Sequence, residues 1–275
     1  MFSKRFKNIL HYACYVLIIA VVILPFLWAL STSVKNPSEI FAFPPRWLPE
    51  NATVQNYLYV LSETSIPRQL LNSLFIAGAT ILLTLIVAVP GGYGFSKARF
   101  PGKHSLLLLI FSTQIITGLG SVIAIYTIAV NIQLLNSHGF LIVLYTSMAV
   151  PFAVWYMKGF FDQLPWELEE AALLDGCNRL QAMIYVLAPL MKPAILSTAI
   201  FTFVTSWNEY LFSFILISKT KLKTFPVGIC IFIQEYGMQW GYITATAVIG
   251  IVPIIVLYLV FNKHFVQGVI EGSVK

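Results

Sequence analysis

Hydrophobic residues in this chain come in long unbroken runs, neither alternating with polar residues nor confined to one helical stripe. Six runs stand out, at 12–31, 70–92, 106–130, 139–157, 194–217 and 243–261. Each approaches or exceeds the about 20 apolar residues a helix needs to cross a hydrocarbon layer about 30 Å thick. Glu209 is the sole charge inside them. Continuous apolarity excludes the alternating pattern of a membrane barrel, so each run predicts a spanning helix. The expected fold is an all-α polytopic membrane bundle, one domain over residues 1–275 with six spans and a polar segment at 158–192.

Composition agrees with the pattern. Of 275 residues, 58% are hydrophobic and 10% charged, too few charges to clothe a water-soluble core of this size. The net charge of +6 follows topology. With the N-terminus inside, eleven Lys and Arg fall in inner segments, among them Lys4, Arg5, Lys7, Lys97, Arg99 and Lys103, against six outside. Both termini are therefore expected inside, with Lys219, Lys221 and Lys223 as an outer cluster that opposes the rule. A basic surface of this kind suits anionic lipid headgroups, and no aromatic-interleaved nucleic-acid patch accompanies it. The first run is longer than a leader's apolar region and precedes five more, so it reads as a span. Cys14, Cys177 and Cys230 are too scattered to suggest a disulfide or a metal site.

The connections differ in character. The stretch 34–68 carries Pro37, Pro44, Pro45, Pro49 and Pro67, an extended backbone with aromatic anchors that serves either as a connector or as a docking surface. Residues 131–138 are uncharged and suit a tight hairpin. The segment 158–192 holds five of the eleven acids: Asp162, Glu167, Glu169, Glu170 and Asp175. Pro165 followed by three glutamates marks a helix start, with acids at the positive end of its dipole. Gly176 then breaks the pattern and "NRLQAMIYVL" resumes it, which predicts a short helix, a bend and a second helix, with Ala171 and Ala172 leaving room for a close neighbour. On residues alone this could be a surface connector.

The spacing in that segment, Glu170-Ala171-Ala172, three residues, Gly176, nine residues, Val186, Leu187, Ala188, Pro189, resembles the signature of the permease subunits of ATP-binding-cassette importers of the maltose type. Val186 and Ala188 stand where that family has Ile and Leu. "PPRWLPENATVQNY", "GGYGFSKARFPGK", "SWNEYLFSFIL" and "HFVQGVIEGSVK" resemble other parts of the same family, whereas "FSTQIITGLGSVIAIY" lacks prolines frequent in relatives. The resemblance implies that Glu169, Glu170, Ala171, Ala172, Asp175, Gly176 and Pro189 belong to a coupling helix docked on a cytoplasmic ATPase. It implies two such ATPase subunits, which use ATP and Mg, a non-identical sister permease, an extracytoplasmic solute-binding protein, a sugar as cargo, and the bacterial inner membrane as location. Such a permease is not itself an enzyme.

Candidate chemistry within the chain is sparse. The phosphate cradle needs Gly-Lys-Ser/Thr before a helix, and "GGYGFSKAR" places Ser96 before Lys97 and Ala98 after it, so no cofactor is expected on this chain. His11, His104, His138 and His264 lack ligand spacing or a nucleophile partner. A carboxylate deep in a bilayer costs about 2.5 to 3.5 kcal/mol on insertion scales, which singles out Glu209. Projected at 100° per residue, Thr198, Thr202, Thr205, Ser206, Glu209 and Ser213 share one side of a helix, with Phe203, Trp207, Tyr210 and Phe214 away from it. Thr202, Thr205, Ser206, Asn208, Glu209 and Ser213 thus line either a translocation pathway or a helix contact. Rival readings are the same machinery carrying a glycerol phosphate-type solute, or an ion-coupled secondary transporter, which would show paired midplane ionisable residues.

Overall fold

The computed structural model describes residues 4–115, 118–234 and 238–273, with side chains at 8, 11–114, 120–233 and 238–261. The inner-segment residues Lys4, Arg5, Lys7, Lys263, His264 and Lys275 fall outside the described side chains. Helices in chain order are α1 (Lys4–Ser33), α2 (Gln55–Ser62), α3 (Ile66–Lys97), α4 (Lys103–Ser112), α5 (Gly118–Asn131), α6 (His138–Phe161), α7 (Glu167–Leu174), α8 (Lys192–Trp207), α9 (Leu211–Leu216) and α10 (Trp240–Ser273), joined by loops and single turns. No strand occurs among the described residues.

Among the described residues, four helices are long and apolar enough to cross a membrane, those containing His11–Ser33, Ile66–Lys97, His138–Phe161 and Trp240–Phe261. Arg179–Leu190 and Lys192–Trp207 form a fifth apolar path bent by 80°. Pro193 has no N–H to offer the Pro189 carbonyl four residues back, so a rung of the helical ladder is missing at the bend. The run at 106–130, expected as one helix, is divided: α4 ends in a 3-10 turn at Thr113–Ile115 before α5 begins. Ser112 and Thr113 donate their hydroxyls back to the Leu109 and Ile110 carbonyls, and Gly118 and Gly120 follow, a combination that weakens helix continuity.

The run at 194–217 also divides, because α8 stops at Trp207 and α9 starts at Leu211. That break corrects the single-helix projection of the polar stripe. Independently of the break, Phe203 and Trp207, set away from the polar stripe by the projection, are buried within α8, and Trp207 stacks on Phe225 at 5.7 Å.

The chain forms two compact units. One comprises Met1–Pro67 and Gly228–Val252. There Asn56 is buried and donates to the Ser33 and Lys35 carbonyls at 2.8 and 3.0 Å, and Lys35 donates to the Arg46 carbonyl while lying 4.4 Å over Trp28. The proline-rich stretch is thereby folded back on the end of α1. Tyr59 stacks on Tyr242 at 4.4 Å.

The other unit comprises Arg68–Val227 and Pro253–Lys275. Its core has two clusters, one around Leu141, Tyr145, Phe212 and Leu216, and one around Val154, Met157, Phe161, Leu187 and Met191. Lipid is as apolar as these side chains, so close packing rather than escape from water holds such helices together. Gly92 makes the second cluster possible: a Cβ there would come within 2.5 Å of the Met157 Cβ and 2.9 Å of the Lys158 nitrogen.

Candidate functional site

Two parts of the second unit carry the residues that the sequence singles out. The first is the segment after α6. Trp166 precedes α7, whose first turn holds Glu167, Glu169 and Glu170 against the helix dipole. Gly176 adopts φ +88°, a left-handed conformation that glycine enters freely, and so ends α7 with a sharp turn. Asn178 then opens the next helical turn with a reciprocal cap: its side chain accepts from the Gln181 N–H at 2.9 Å, and the Gln181 side chain accepts from the Asn178 N–H at 2.8 Å. A π-helical stretch at Ala182–Leu187 carries the chain to Ala188–Leu190 and the bend.

The seven predicted residues of this segment do not share one surface. Glu170, Ala171, Asp175, Gly176 and Pro189 are exposed, next to Leu174, which is 89% exposed. Ala172 is buried and Glu169 is only 2% exposed, so these two face the body of the unit rather than a partner. Glu169 accepts a hydrogen bond from the Tyr93 hydroxyl of α3 at 2.7 Å. Sequence spacing alone could not foresee this, since 76 residues separate the pair.

Further links join the same end of α3 to this segment. Ser96 donates to Asp162 at 2.6 Å, Lys97 donates to the Leu164 carbonyl at 2.8 Å, and the same ammonium lies 5.1 Å from the Trp166 ring. Lys158 pairs with Asp162 one turn below. Partial burial pushes the Asp162 carboxyl up, but the hydrogen bonds from Lys158 and Ser96, with the charges of Lys158 and Lys103, together hold it below the usual carboxylate value.

The second part is a cavity of about 270 Å³ lined by Phe111, Gln114, Tyr145, Phe152, Phe201, Thr205, Ser206 and Glu209, among others. Glu209 sits in the break between α8 and α9. Its carboxylate accepts from the Phe212 and Ser213 amides at 2.8 and 3.2 Å, and from the Tyr145 hydroxyl. It therefore caps α9 and has three hydrogen-bond donors in place of water. This is how a charge survives inside an apolar run.

Of the predicted stripe, Thr205, Ser206 and Glu209 reach the cavity. Thr202 and Ser213 are fully buried elsewhere, Ser213 paired with Thr224 at 2.7 Å, and Asn208 is exposed. Sequence reasoning missed the aromatic wall, Phe152 and Phe201 at 4.2 Å between ring centres, and Gln114, which donates to the Met148 carbonyl at 2.8 Å. Among the described residues none lining the cavity is cationic. Among the described residues no group of three His, Cys, Asp or Glu could hold a metal ion.

Compared with known proteins, residues 1–271 match the family described as binding-protein-dependent transport system inner membrane component. A sulfoquinovosyl glycerol transport system permease protein of Agrobacterium fabrum is 32% identical over 251 residues, 91% of this chain and 88% of its own. A trehalose/maltose transport system permease protein of Thermococcus litoralis is 28% identical over 278 residues, 100% of this chain and 99% of its own. Among solved structures, a chain of a bacterial ABC transporter involved in the import of the acidic polysaccharide alginate superposes with a TM-score of 0.85 at 22% identity, over 96% of this chain and 99% of that one. That likeness establishes the fold.

Proposed function

We propose that this chain, which belongs to the binding-protein-dependent transport system inner membrane component family, is one of two permease subunits of an ATP-driven importer of sugars. It is a multi-pass membrane protein and a transport component, not a catalyst. The observation that carries the reading is the family match along residues 1–271. The relatives named for trehalose/maltose and for sulfoquinovosyl glycerol point to a sugar as cargo. The cavity supports that class: aromatic rings offer faces for a sugar's C–H surface, while Gln114, Thr205 and Ser206 offer hydrogen bonds. Because no described residue lining it is cationic and the Glu209 carboxylate is already engaged, an uncharged sugar suits it better than an anionic one.

On this reading both termini and the segment 158–192 face the cytoplasm of a bacterial cell, and six passages cross the inner membrane, two of them broken. The exposed face of α7, with Glu170, Ala171, Leu174 and Asp175, enters a groove on one of two ATPase subunits. Those subunits bind ATP and Mg; their closure draws the two permeases' coupling segments together and turns the pathway outward to receive sugar from an extracytoplasmic binding protein. The sister permease is similar but not identical.

Co-purification tests this. Wild type extracted in mild detergent should bring an ATPase and a sister permease. Gly176→Pro, which cannot adopt φ +88°, should keep the sister and lose the ATPase. Failure of wild type to bring either partner would remove the importer assignment.

A further inference from the structure

The geometry points to Glu169 and Tyr93 as a positioning pair that makes α7 and the last turns of α3 move as one body. This inference rests on the coupling role given to α7 above, and it assigns that helix a specific mechanical partner inside its own chain.

The burial of Glu169 is the first argument. An acid at the head of a solvent-facing helix needs no interior place, and its neighbours Glu167 and Glu170 are exposed, yet Glu169 is 2% exposed. Withdrawing a carboxylate from water is expensive unless it is hydrogen-bonded. Among the described residues one oxygen accepts from Tyr93 and the other has no hydrogen-bond partner. The tyrosine hydroxyl therefore carries much of the compensation, and moving α7 away from α3 would strip the carboxylate of its donor.

The second argument is where the pair lies. Tyr93 is fixed from its other side by Phe161, edge to face at 5.8 Å, at the end of α6. One residue before it, Gly92 lets α3 press onto Met157 without room for a side chain. Ser96 and Lys97 tie the next turn of α3 to the chain leading into α7. These contacts hold α3 to the connector, and only the Glu169 hydrogen bond reaches α7 itself from α3 among the described side-chain hydrogen bonds. Force applied to the exposed face of α7 passes through it into a helix 32 residues long.

Distance measurement by spin labelling decides the matter without knowledge of the sugar. Labels are attached at Glu167→Cys, exposed on α7 and outside the face given to the ATPase, and at Gly94→Cys, where a Cβ meets nothing within 4 Å. Cys14, Cys177 and Cys230 are replaced by Ser, and the purified assembly is measured with and without Mg-ATP and vanadate. The expected result is one narrow distance distribution that nucleotide leaves unchanged. Tyr93→Phe, which deletes only the hydroxyl, should broaden it at least two-fold while the same amount of ATPase co-purifies. Glu169→Gln with Tyr93 intact keeps an oxygen for the hydroxyl and should retain a narrow distribution, which a general intolerance of change at this site would not allow.

A Tyr93→Phe distribution as narrow as wild type would overturn the inference, as would a wild-type distance that shifts when nucleotide binds. Absence of ATPase from the wild-type assembly would instead remove the coupling function, and the Tyr93→Phe comparison on the remaining permease would still decide the tether.

Discussion

Glu169 is buried and Glu209 partly buried; each accepts a hydrogen bond from a tyrosine on another helix, and the rest of their surroundings differ. Glu209 is served by two amides three and four residues ahead and by one tyrosine, so most of its compensation comes from its own stretch of chain. Glu169 depends on one hydroxyl 76 residues away. The first carboxylate builds a local feature, the start of α9 after a break. The second records a long-range relation between helices. A buried charge satisfied by its own neighbourhood is part of a shape, whereas one satisfied from afar reports on the relative position of two elements.

Substitutions can break this contrast at different strengths. Gly92→Val attacks the long-range side most severely, because its side chain would need the space of the Met157 Cβ and the Lys158 nitrogen. Overpacking costs about 1–3 kcal/mol and occasionally more, so a fall in thermal midpoint or loss of folded protein is expected by scanning fluorimetry. Gly94→Ala, two residues on, should be neutral. Glu209→Ala attacks the local side. Two amides and a hydroxyl lose their acceptor, a cost of about 1–3 kcal/mol. Glu209→Gln retains one acceptor oxygen and should lie between Ala and wild type in the same assay, with assembly and most of transport preserved. If Gln abolished transport while assembly stayed normal, Glu209 would be more than a cap.

Asn178→Ala removes a cap that is wholly local, at about 1 kcal/mol, and hydrogen exchange should rise at 179–181 while α7 stays protected. The smallest effect is expected from Asp162→Asn. The folded carboxyl titrates below its unfolded value, so its contribution is present above the unfolded pKa and is lost as pH falls through the folded one. The group is partly exposed, so solvent screens most of the effect. A shallower loss of stability below about pH 4 than in wild type is the expected signature.

Much of this was legible in the residues. Continuous apolar runs announced a helical membrane protein because lipid leaves no other backbone solution, and the α7–Gly176 bend followed from local punctuation. The divisions of the runs at 106–130 and 194–217 were not legible from hydropathy, which records transfer into lipid and says little about continuity of the hydrogen-bond ladder. Glu209, singled out by its charge, lies past the end of α8, so a projection on one unbroken helix does not hold for it, for Tyr210, Ser213 or Phe214. A sharper signal existed: Asn208 and Glu209 follow Trp207 as polar residues able to cap a new helix. Tyr93 could not have been found, since nothing local marks a tyrosine whose partner lies on another helix.

The stretch between α9 and Phe225 is held almost entirely by its main chain. Gln69 donates to the Thr220 carbonyl, Asn72 to those of Lys221 and Lys223, and His138 pairs with that of Leu222. Asn136 accepts from the Ser218 and Lys219 amides, and Ser73 from the Phe225 amide. Most of these clamps are side chains from elsewhere gripping main-chain atoms, with the Ser218 and Thr224 hydroxyls adding bonds of their own. The loop's contour and its lettering are thus inherited separately: Lys219 and Lys221, both exposed, could be rewritten for a new encounter surface without refolding what displays them.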